Sequence, residues 1–183
     1  MTRDEVLSLM NEYVENENLR RHMYAVEAAM RTYAGKYNED EEIWGFTGLI
    51  HDFDYEKYPS EEEHSVVGAD ILEEKGYPPE VVHSVRSHVP GSATPRDVLL
   101  DKTLFAVDEL CGFIVAVALV RPSKKIEEVK IKSIKKKLKA KGFARQVSRE
   151  HIEQGIEELG VERDEHMQTV LDAMKSIAAA IGL

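Results

Sequence analysis

Along most of this chain, apolar residues recur at the spacing of three and four that gives an amphipathic helix one buried face. Segments that alternate apolar and polar residues, as half-buried strands do, are absent apart from the ambiguous stretch VKIKSI. The pattern therefore predicts an all-α fold. The predicted helices cover residues 3–15, 19–36, 39–53, 61–75, 79–89, 98–120, 133–141, 149–159 and 162–181.

Local residue choices support these boundaries. Three residue pairs have the spacing of a capping box, in which two side chains satisfy free amides of a first helical turn. These pairs are Thr2 with Glu5, Asn38 with Glu41, and Ser60 with Glu63. Glycines that follow amphipathic stretches predict helix ends at Gly76, Gly142 and Gly160. Because no repeat or low-complexity linker divides the helices, we expect a single domain over residues 1–183.

Composition and hydropathy bear on the cellular compartment of the protein. The chain has 183 residues, of which 43% are hydrophobic and 32% charged, as in soluble globular proteins. No apolar run approaches the roughly 20 residues that cross a bilayer, and the N-terminal MTRDEVLSLMNEY is charged rather than signal-like. The single cysteine, Cys111, excludes an intramolecular disulfide and fits a reducing compartment. We therefore expect a cytoplasmic protein with no membrane partner.

Charge is unevenly distributed along the chain. The formal net charge is −10, yet residues 124–145 hold ten Lys or Arg and two Glu. The acidic remainder argues against long nucleic acids as partners, since affinity for them depends on accumulated phosphate contacts. The basic segment could hold an anion, or it could be the solvated face of a lysine-rich helix. The sequence leaves both interpretations open.

Six polar residues from five predicted helices share a face with apolar residues, so helical spacing turns them toward the interior. They are His22, His51, Asp52, His64, His88 and Asp108. The doublet His51-Asp52 ends the segment IWGFTGLIHDF, which is apolar on most sides. The same test places His83 and His151 at the surface and leaves His166 ambiguous, although its neighbours Glu162 and Arg163 favour the surface.

A single inward histidine is usually a core imidazole bonded to a carbonyl, but six inward polar groups need another explanation. An aspartate buried beside histidines loses hydration and takes up a proton unless a cation compensates its charge. A metal ion supplies that cation. Four imidazoles and two carboxylates suit Mn, Fe, Co, Ni or Zn better than Ca or a thiolate-seeking metal.

The order His22, then His51-Asp52, then Asp108 resembles the H…HD…D signature of the HD-domain metal-dependent phosphohydrolases. The segments LRRHMYAVEAAM and FAVDELCGF are similar to the first and last metal-bearing helices of that superfamily. The resemblance covers about residues 18–121. It implies a compact helical bundle, to which additional C-terminal helices are appended over about residues 122–183.

The resemblance also implies an activity, which is metal-dependent hydrolysis of a nucleotide or another small phosphate ester. The segment HSVVGADILEEKGYPPEVVHSVRSH is similar to a subset that adds two histidines, binds two metals and includes enzymes that split dinucleoside polyphosphates. The doublet His51-Asp52 would carry the chemistry. The first divalent transition metal would be held by His22, His51, Asp52 and Asp108. A second would be completed by His64 and His88, with Asp52 as the bridge.

One departure from the family concerns the substrate. Many members continue the doublet as His-Asp-Ile-Gly-Lys, whereas here Asp52 is followed by Phe53, Asp54 and Tyr55. The phosphate-contacting lysine of the family is therefore missing at this place. An anionic substrate needs cations from elsewhere, and the candidates are Arg21, Arg86, Lys124 and Lys125.

Two other functions remain open at this level. The same ligand set on the same scaffold supports oxygen chemistry at a di-iron centre. A non-catalytic module is the other alternative, with a structural metal or with a nucleotide or RNA docked on the basic segment.

Overall fold

The computed structural model describes residues 1–183 and contains ten α-helices and no strand, which confirms the predicted all-α fold. No helix combines the length and apolarity that crossing a membrane requires. The helices are α1 (Arg3–Tyr13), α2 (Glu17–Tyr37), α3 (Glu41–Ile50), α4 (Val66–Glu74), α5 (Pro79–Ser87), α6 (Leu99–Leu119), α7 (Ile131–Leu138), α8 (Arg149–Leu159), α9 (Arg163–Ser176) and α10 (Ala178–Ile181), with a 3₁₀ turn at Ile126–Glu128.

Two predicted capping boxes are wrong as helix starts. Asn38 does not begin α3 but ends α2 in the left-handed conformation (φ 57°), and the Asp40 side chain caps α3 instead. Ser60 does donate to the Glu63 carboxylate, yet this contact lies in a turn. The helix begins only at Val66, because the Asp54 carboxylate, distant in sequence, accepts amides of its first turn.

Other boundary predictions agree more closely with the structure. Thr2 and Glu5 form the predicted capping box of α1. Gly160 ends α8 with a φ of 70°, a conformation that glycine adopts without steric cost. Gly142 lies four residues beyond the end of α7, so it does not terminate that helix as predicted.

The two longest helices, α2 and α6, form the centre of the fold. Helix α2 packs against α3, α6 and α9, and α8 lies along α6. Glycines allow two of these approaches. A Cβ on Gly48 of α3 would lie 3.0 Å from backbone atoms of Glu27, and one on Gly155 of α8 would lie 2.6 Å from the Cα of Ala106. A larger residue at Gly48 would therefore push α3 away from α2, and one at Gly155 would push α8 away from α6.

The C-terminal helices belong to the same apolar core as α2 and α6. Ile152 of α8 and Met167 and Val170 of α9 are buried within the larger hydrophobic cluster, which also includes Met30 and Leu104. A smaller cluster joins α1, α3, α4 and α5. Removing the C-terminal helices would thus expose apolar surface of the central pair.

His166, which the sequence leaves ambiguous, lies in the core and not at the surface that its neighbours favour. Its side chain on α9 is fully buried. The Tyr33 hydroxyl of α2 donates to Nδ1 at 2.6 Å, and Nε2 donates to the Ala106 carbonyl of α6 at 3.0 Å. Burial lowers the pKa of His166 to about 4, although the hydrogen bond to the Ala106 carbonyl opposes this shift. Both partners lie far away in sequence, so helical spacing alone did not indicate them.

Candidate metal centre

Segments that lie far apart in the sequence bring the six predicted polar residues together around one cavity. His22 projects from α2 and Asp108 from α6, whereas His51, Asp52 and His88 directly follow the ends of α3 and α5. His64 lies in the turn before α4. The cavity has a volume of about 280 Å³. Its walls include His22, Asp52, Tyr55, His64, His88, Val89, Pro90, Asp108, Glu109 and Gly112.

On one side of the centre, two imidazoles and two carboxylates face each other. His22 Nε2 lies 2.9 Å from Asp108 Oδ1 and 3.7 Å from Asp52 Oδ2. His51 Nε2 lies 3.4 Å from Asp52 Oδ2 and 3.6 Å from Asp108 Oδ1. The ligand atoms of His22, His51 and Asp108 all fall within 4.8 Å of one another, as they do at a shared metal ion.

The other oxygen of Asp52 faces a second pair of histidines. Asp52 Oδ1 lies 3.2 Å from His64 Nε2 and 3.3 Å from His88 Nε2. The ligand atoms of His51, Asp52 and His88 form a further group within 4.8 Å. One carboxylate therefore stands between two groups of imidazoles and presents a different oxygen to each.

Hydrogen bonds to backbone carbonyls fix the orientation of two of the imidazoles. Nδ1 of His51 donates to the Gly48 carbonyl at 2.8 Å, and Nδ1 of His88 donates to the Val85 carbonyl at 2.6 Å. Each carbonyl lies three residues earlier, within reach because both histidines directly follow a helix. Because Nδ1 is bonded to a carbonyl, Nε2 is the nitrogen that each ring directs toward the aspartates, as in histidines that bind metals.

His64 is oriented by a carboxylate that the sequence did not indicate. Asp54 is fully buried, and its Oδ1 accepts from His64 Nδ1 at 3.0 Å. Its Oδ2 accepts the backbone amides of Ser65 and Gly68, each at 2.9 Å. A Cβ on Gly68 would come within 2.7 Å of this carboxylate, so glycine is needed there. Asp54 lies in a turn, where helical periodicity carries no information about direction.

The aspartates of the centre attract positive charge. Burial opposes protonation of His51, but the charges of Asp52 and Asp108 outweigh burial and raise its pKa well above the ordinary value. Burial also opposes protonation of His64, but Asp52 and Asp54 outweigh it and raise the pKa of His64 to about 9. Burial opposes ionisation of both aspartates, yet the histidines hold their pKa values low. The carboxylates thus attract positive charge, which protons or a metal ion can supply.

One buried atom favours a metal ion over protons. His51 is fully buried, and its Nε2 has no hydrogen-bond partner even though it faces two carboxylates. A buried polar atom without a partner is costly and is therefore rare in folded proteins. A cation among these side chains would give Nε2 a partner and balance the carboxylates at the same time. The donor set fits a divalent transition metal.

Glu109 is a further cavity residue that the sequence analysis missed. Burial, followed by the charge of Asp108, raises its pKa to about 7, and the backbone amide of Ser148 counteracts this shift. His151 Nδ1 lies 3.7 Å from Glu109, and the His151 side chain is only 29% exposed. The prediction of a surface position for His151 is therefore only partly right. His83, with a side chain that is 39% exposed, comes closer to its prediction.

None of the four predicted substrate-binding cations lines this cavity. The Arg86 guanidinium lies 2.8 Å from Asp70 and 3.6 Å from Glu73. Arg21 lies beside Gly182, near the C-terminus. Lys124 and Lys125 line a groove next to the same C-terminal residues. Contact of these side chains with a substrate stays a prediction without support from their positions.

The comparison with protein families agrees with this arrangement. The family model described as HD domain matches residues 19–178. The chain belongs to the HD domain family. The match extends beyond residue 121, where the sequence resemblance ended, and includes α7, α8 and α9. HD domains bind divalent metals and are typically metal-dependent hydrolases. No curated protein and no solved structure matches the chain significantly.

Proposed function

We propose that this HD domain is a metal-dependent phosphohydrolase that acts on a nucleotide or another small phosphate ester. The observation that carries the proposal is the position of Asp52, whose two oxygens face two separate pairs of imidazoles. A bridging carboxylate of this kind suits two metal ions, which hydrolytic enzymes use to clamp the attacking and leaving oxygens of a phosphoryl group.

The ligand roles follow from the two sides of the centre. His22, His51, Asp52 and Asp108 would hold a first divalent ion. His64 and His88 would complete the site of a second ion, with Asp52 shared between the two. A bound divalent ion supplies Lewis acidity toward a phosphoryl oxygen and lowers the pKa of bound water toward about 7.

The chain's own contribution is to keep the ligands in place. Carbonyl groups hold His51 and His88, and the buried carboxylate of Asp54 holds His64. These contacts keep each Nε2 directed at the cavity without reorganisation when substrate binds. Tyr55 stands at the cavity with a side chain that is 46% exposed, and its ring meets that of His64 at 4.9 Å between centroids. An exposed aromatic edge at this position can contact the organic part of a phosphate ester.

The test is phosphate release from a panel of nucleotides and small phosphate esters. The protein is reconstituted separately with Mn, Fe, Co, Ni and Mg, and Asp52→Ala is prepared in parallel. We expect phosphate release with at least one of these metals and none from the variant. Oxygen uptake by the iron-loaded protein without phosphate release under any condition would instead support the oxygenase.

A further inference from the structure

Gly112 is the one helical glycine of this chain that packing does not explain. At the other five helical glycines, an added Cβ would lie within 3.3 Å of a neighbouring residue. These five are Gly35, Gly45, Gly48, Gly68 and Gly155. Beyond its own helical turn, a Cβ on Gly112 would meet no atom within 4 Å. Its φ angle is not positive either, so neither packing nor backbone geometry requires glycine here.

Glycine at this position is also unfavourable for the helix that contains it. Gly112 lies well inside α6, a helix of 21 residues. In a helix interior, glycine loses more conformational freedom on folding than alanine does and therefore weakens the helix. A residue that weakens its own element without a packing role is typical of a functional position.

Gly112 borders the metal cavity. It follows the candidate ligand Asp108 by four residues, which is about one turn of α6 and roughly 6 Å along its axis. Residues four apart share a face of a helix, and both residues line the cavity of about 280 Å³. The bare backbone of Gly112 therefore forms part of the cavity wall beside the centre, and a side chain at this position would extend into the cavity.

The cavity walls are of two chemical kinds. On one side are the imidazoles and carboxylates of the metal centre, whereas Tyr55, Val89, Pro90 and Gly112 form an uncharged and mainly apolar wall. No lysine or arginine lines the cavity, so bound metal ions would be the partners of the phosphate group. The uncharged wall suits the organic group of an ester, because apolar surface is favourably buried against it.

We propose, on the basis of the phosphohydrolase function above, that Gly112 is a specificity-determining residue, against whose backbone the organic group of the substrate lies. The missing side chain leaves room for this group while the phosphate is held at the metal centre. The substrate class is a phosphate ester with a wide, uncharged organic group, such as an aromatic ring, next to the ester oxygen. A larger residue at position 112 would occupy the space of that group.

Thermal unfolding of the metal-free full-length protein tests whether glycine serves the fold. We expect Gly112→Ala to raise the Tm by about 2–4 °C, because alanine strengthens the helix and meets no neighbour. Gly155→Ala is the matched control. Its Cβ would lie 2.6 Å from the Cα of Ala106, so this variant should have a lower Tm than wild type. An unchanged or lower Tm of Gly112→Ala would assign Gly112 to the fold and overturn the proposal.

Selectivity between a wide and a narrow substrate tests the role in binding. Wild type, Gly112→Leu and Ala116→Leu are loaded with Mn²⁺, and elemental analysis establishes equal metal content. We expect the kcat/KM of Gly112→Leu to fall at least about tenfold further for 1-naphthyl phosphate than for acetyl phosphate, because leucine displaces the wide group. Ala116→Leu adds its bulk one turn further along α6, at a partly exposed position outside the cavity, and should keep the wild-type ratio.

The outcomes separate this proposal from the proposed function. Hydrolysis of both compounds with the same selectivity in all three proteins would overturn the role of Gly112 and leave the hydrolase standing. If wild type hydrolyses neither compound, the hydrolase assignment fails, and calorimetry of 1-naphthyl phosphate binding to the Mn²⁺-loaded proteins decides the role of Gly112. Binding at least about tenfold weaker in Gly112→Leu than in Ala116→Leu would support it. Equal binding by these two variants, or none by wild type, would overturn it.

Discussion

Two fully buried histidines of this chain, His51 and His166, differ in one respect that separates a candidate metal ligand from a core residue. His166 uses both ring nitrogens, one toward the Tyr33 hydroxyl and one toward the Ala106 carbonyl. His51 uses only Nδ1, and its Nε2 faces two carboxylates without a hydrogen bond. The pKa values follow this difference, since burial lowers that of His166 whereas the carboxylates raise that of His51.

Burial alone therefore does not identify a functional histidine. Around His166 every polar group has a protein partner, so the neutral ring completes the packing of α2, α6 and α9. Around His51 the protein supplies an excess of acceptors and no cation. Substitutions that alter one region at a time, with measurements of metal content and stability, allow the two regions to be compared.

The largest effect is expected from Asp52→Ala, because Asp52 is the only side chain that faces both groups of imidazoles. The variant should lose its metal and reduce hydrolysis by more than the roughly 10–100-fold that loss of an outer hydrogen-bond partner causes. Helical content should change little, since the residue lies in a turn beside a cavity. Elemental analysis, phosphate release and circular dichroism measure the three quantities. Wild-type turnover in this variant would exclude the metal mechanism.

Removal of one histidine from the second pair should have the next largest effect. His64→Ala or His88→Ala should lower the metal content from about two ions to about one per chain and reduce turnover, since half of the oxygen clamp is lost. His83→Ala is the matched control, because His83 lies on α5, just ahead of His88, but remains partly exposed. If only turnover falls while metal content stays constant, these histidines contact substrate or a ligand instead.

A smaller effect is expected from Asp54→Asn, which keeps the size of the side chain but removes its charge. The asparagine can still accept a backbone amide of Ser65 or Gly68, but it no longer offers His64 a carboxylate. Loss of such an outer partner typically weakens metal affinity roughly 10–100-fold. Titration with a metal chelator measures the change. An unchanged affinity would mean that His64 needs no orienting partner.

The smallest effect on the metal centre is expected from His166→Ala, which should nevertheless destabilise the fold. The variant removes the His166 partner of the buried Tyr33 hydroxyl and one hydrogen bond of the Ala106 carbonyl, and we expect the free energy of unfolding to fall by about 2–4 kcal/mol. Metal content per folded molecule should equal that of wild type. Thermal or denaturant unfolding provides the first quantity and elemental analysis the second. A variant that loses metal would contradict the division between the two regions.

The titration of His166 should also make the stability of the fold depend on pH. Its folded pKa of about 4 lies below that of an exposed imidazole, about 6.5, so the unfolded state binds the proton first. The stability that the neutral ring provides is complete above about pH 6.5. It falls by about 1.4 kcal/mol per pH unit as the pH decreases from 6.5 toward 4. Across this range, the free energy of unfolding should therefore depend more steeply on pH for wild type than for His166→Ala.

Sequence periodicity indicated five of the six converging residues because they lie on a helix or just after its end, where spacing fixes the direction of the side chain. His64 lies in the turn before α4, so its direction was predicted from a helix that begins only at Val66. Periodicity failed where contacts with residues distant in sequence determine the position of a side chain. Asp54 lies in a turn, and its carboxylate also determines where α4 begins. Glu109 also lines the cavity, although residues that follow one another on a helix do not share a face. The partners of His166 come from α2 and α6, and no local pattern contains them.

Anomalous X-ray diffraction from crystals of the purified protein, recorded at the absorption edges of the transition metals, would show directly whether metal ions occupy this centre. We predict an anomalous peak within bonding distance of the Nε2 atoms of His22 and His51, with Asp52 and Asp108 as further ligands. A second peak would lie toward His64 and His88 on the other side of Asp52. A map with no peak in this cavity, and with His51 Nε2 hydrogen-bonded to an aspartate instead, would contradict this prediction.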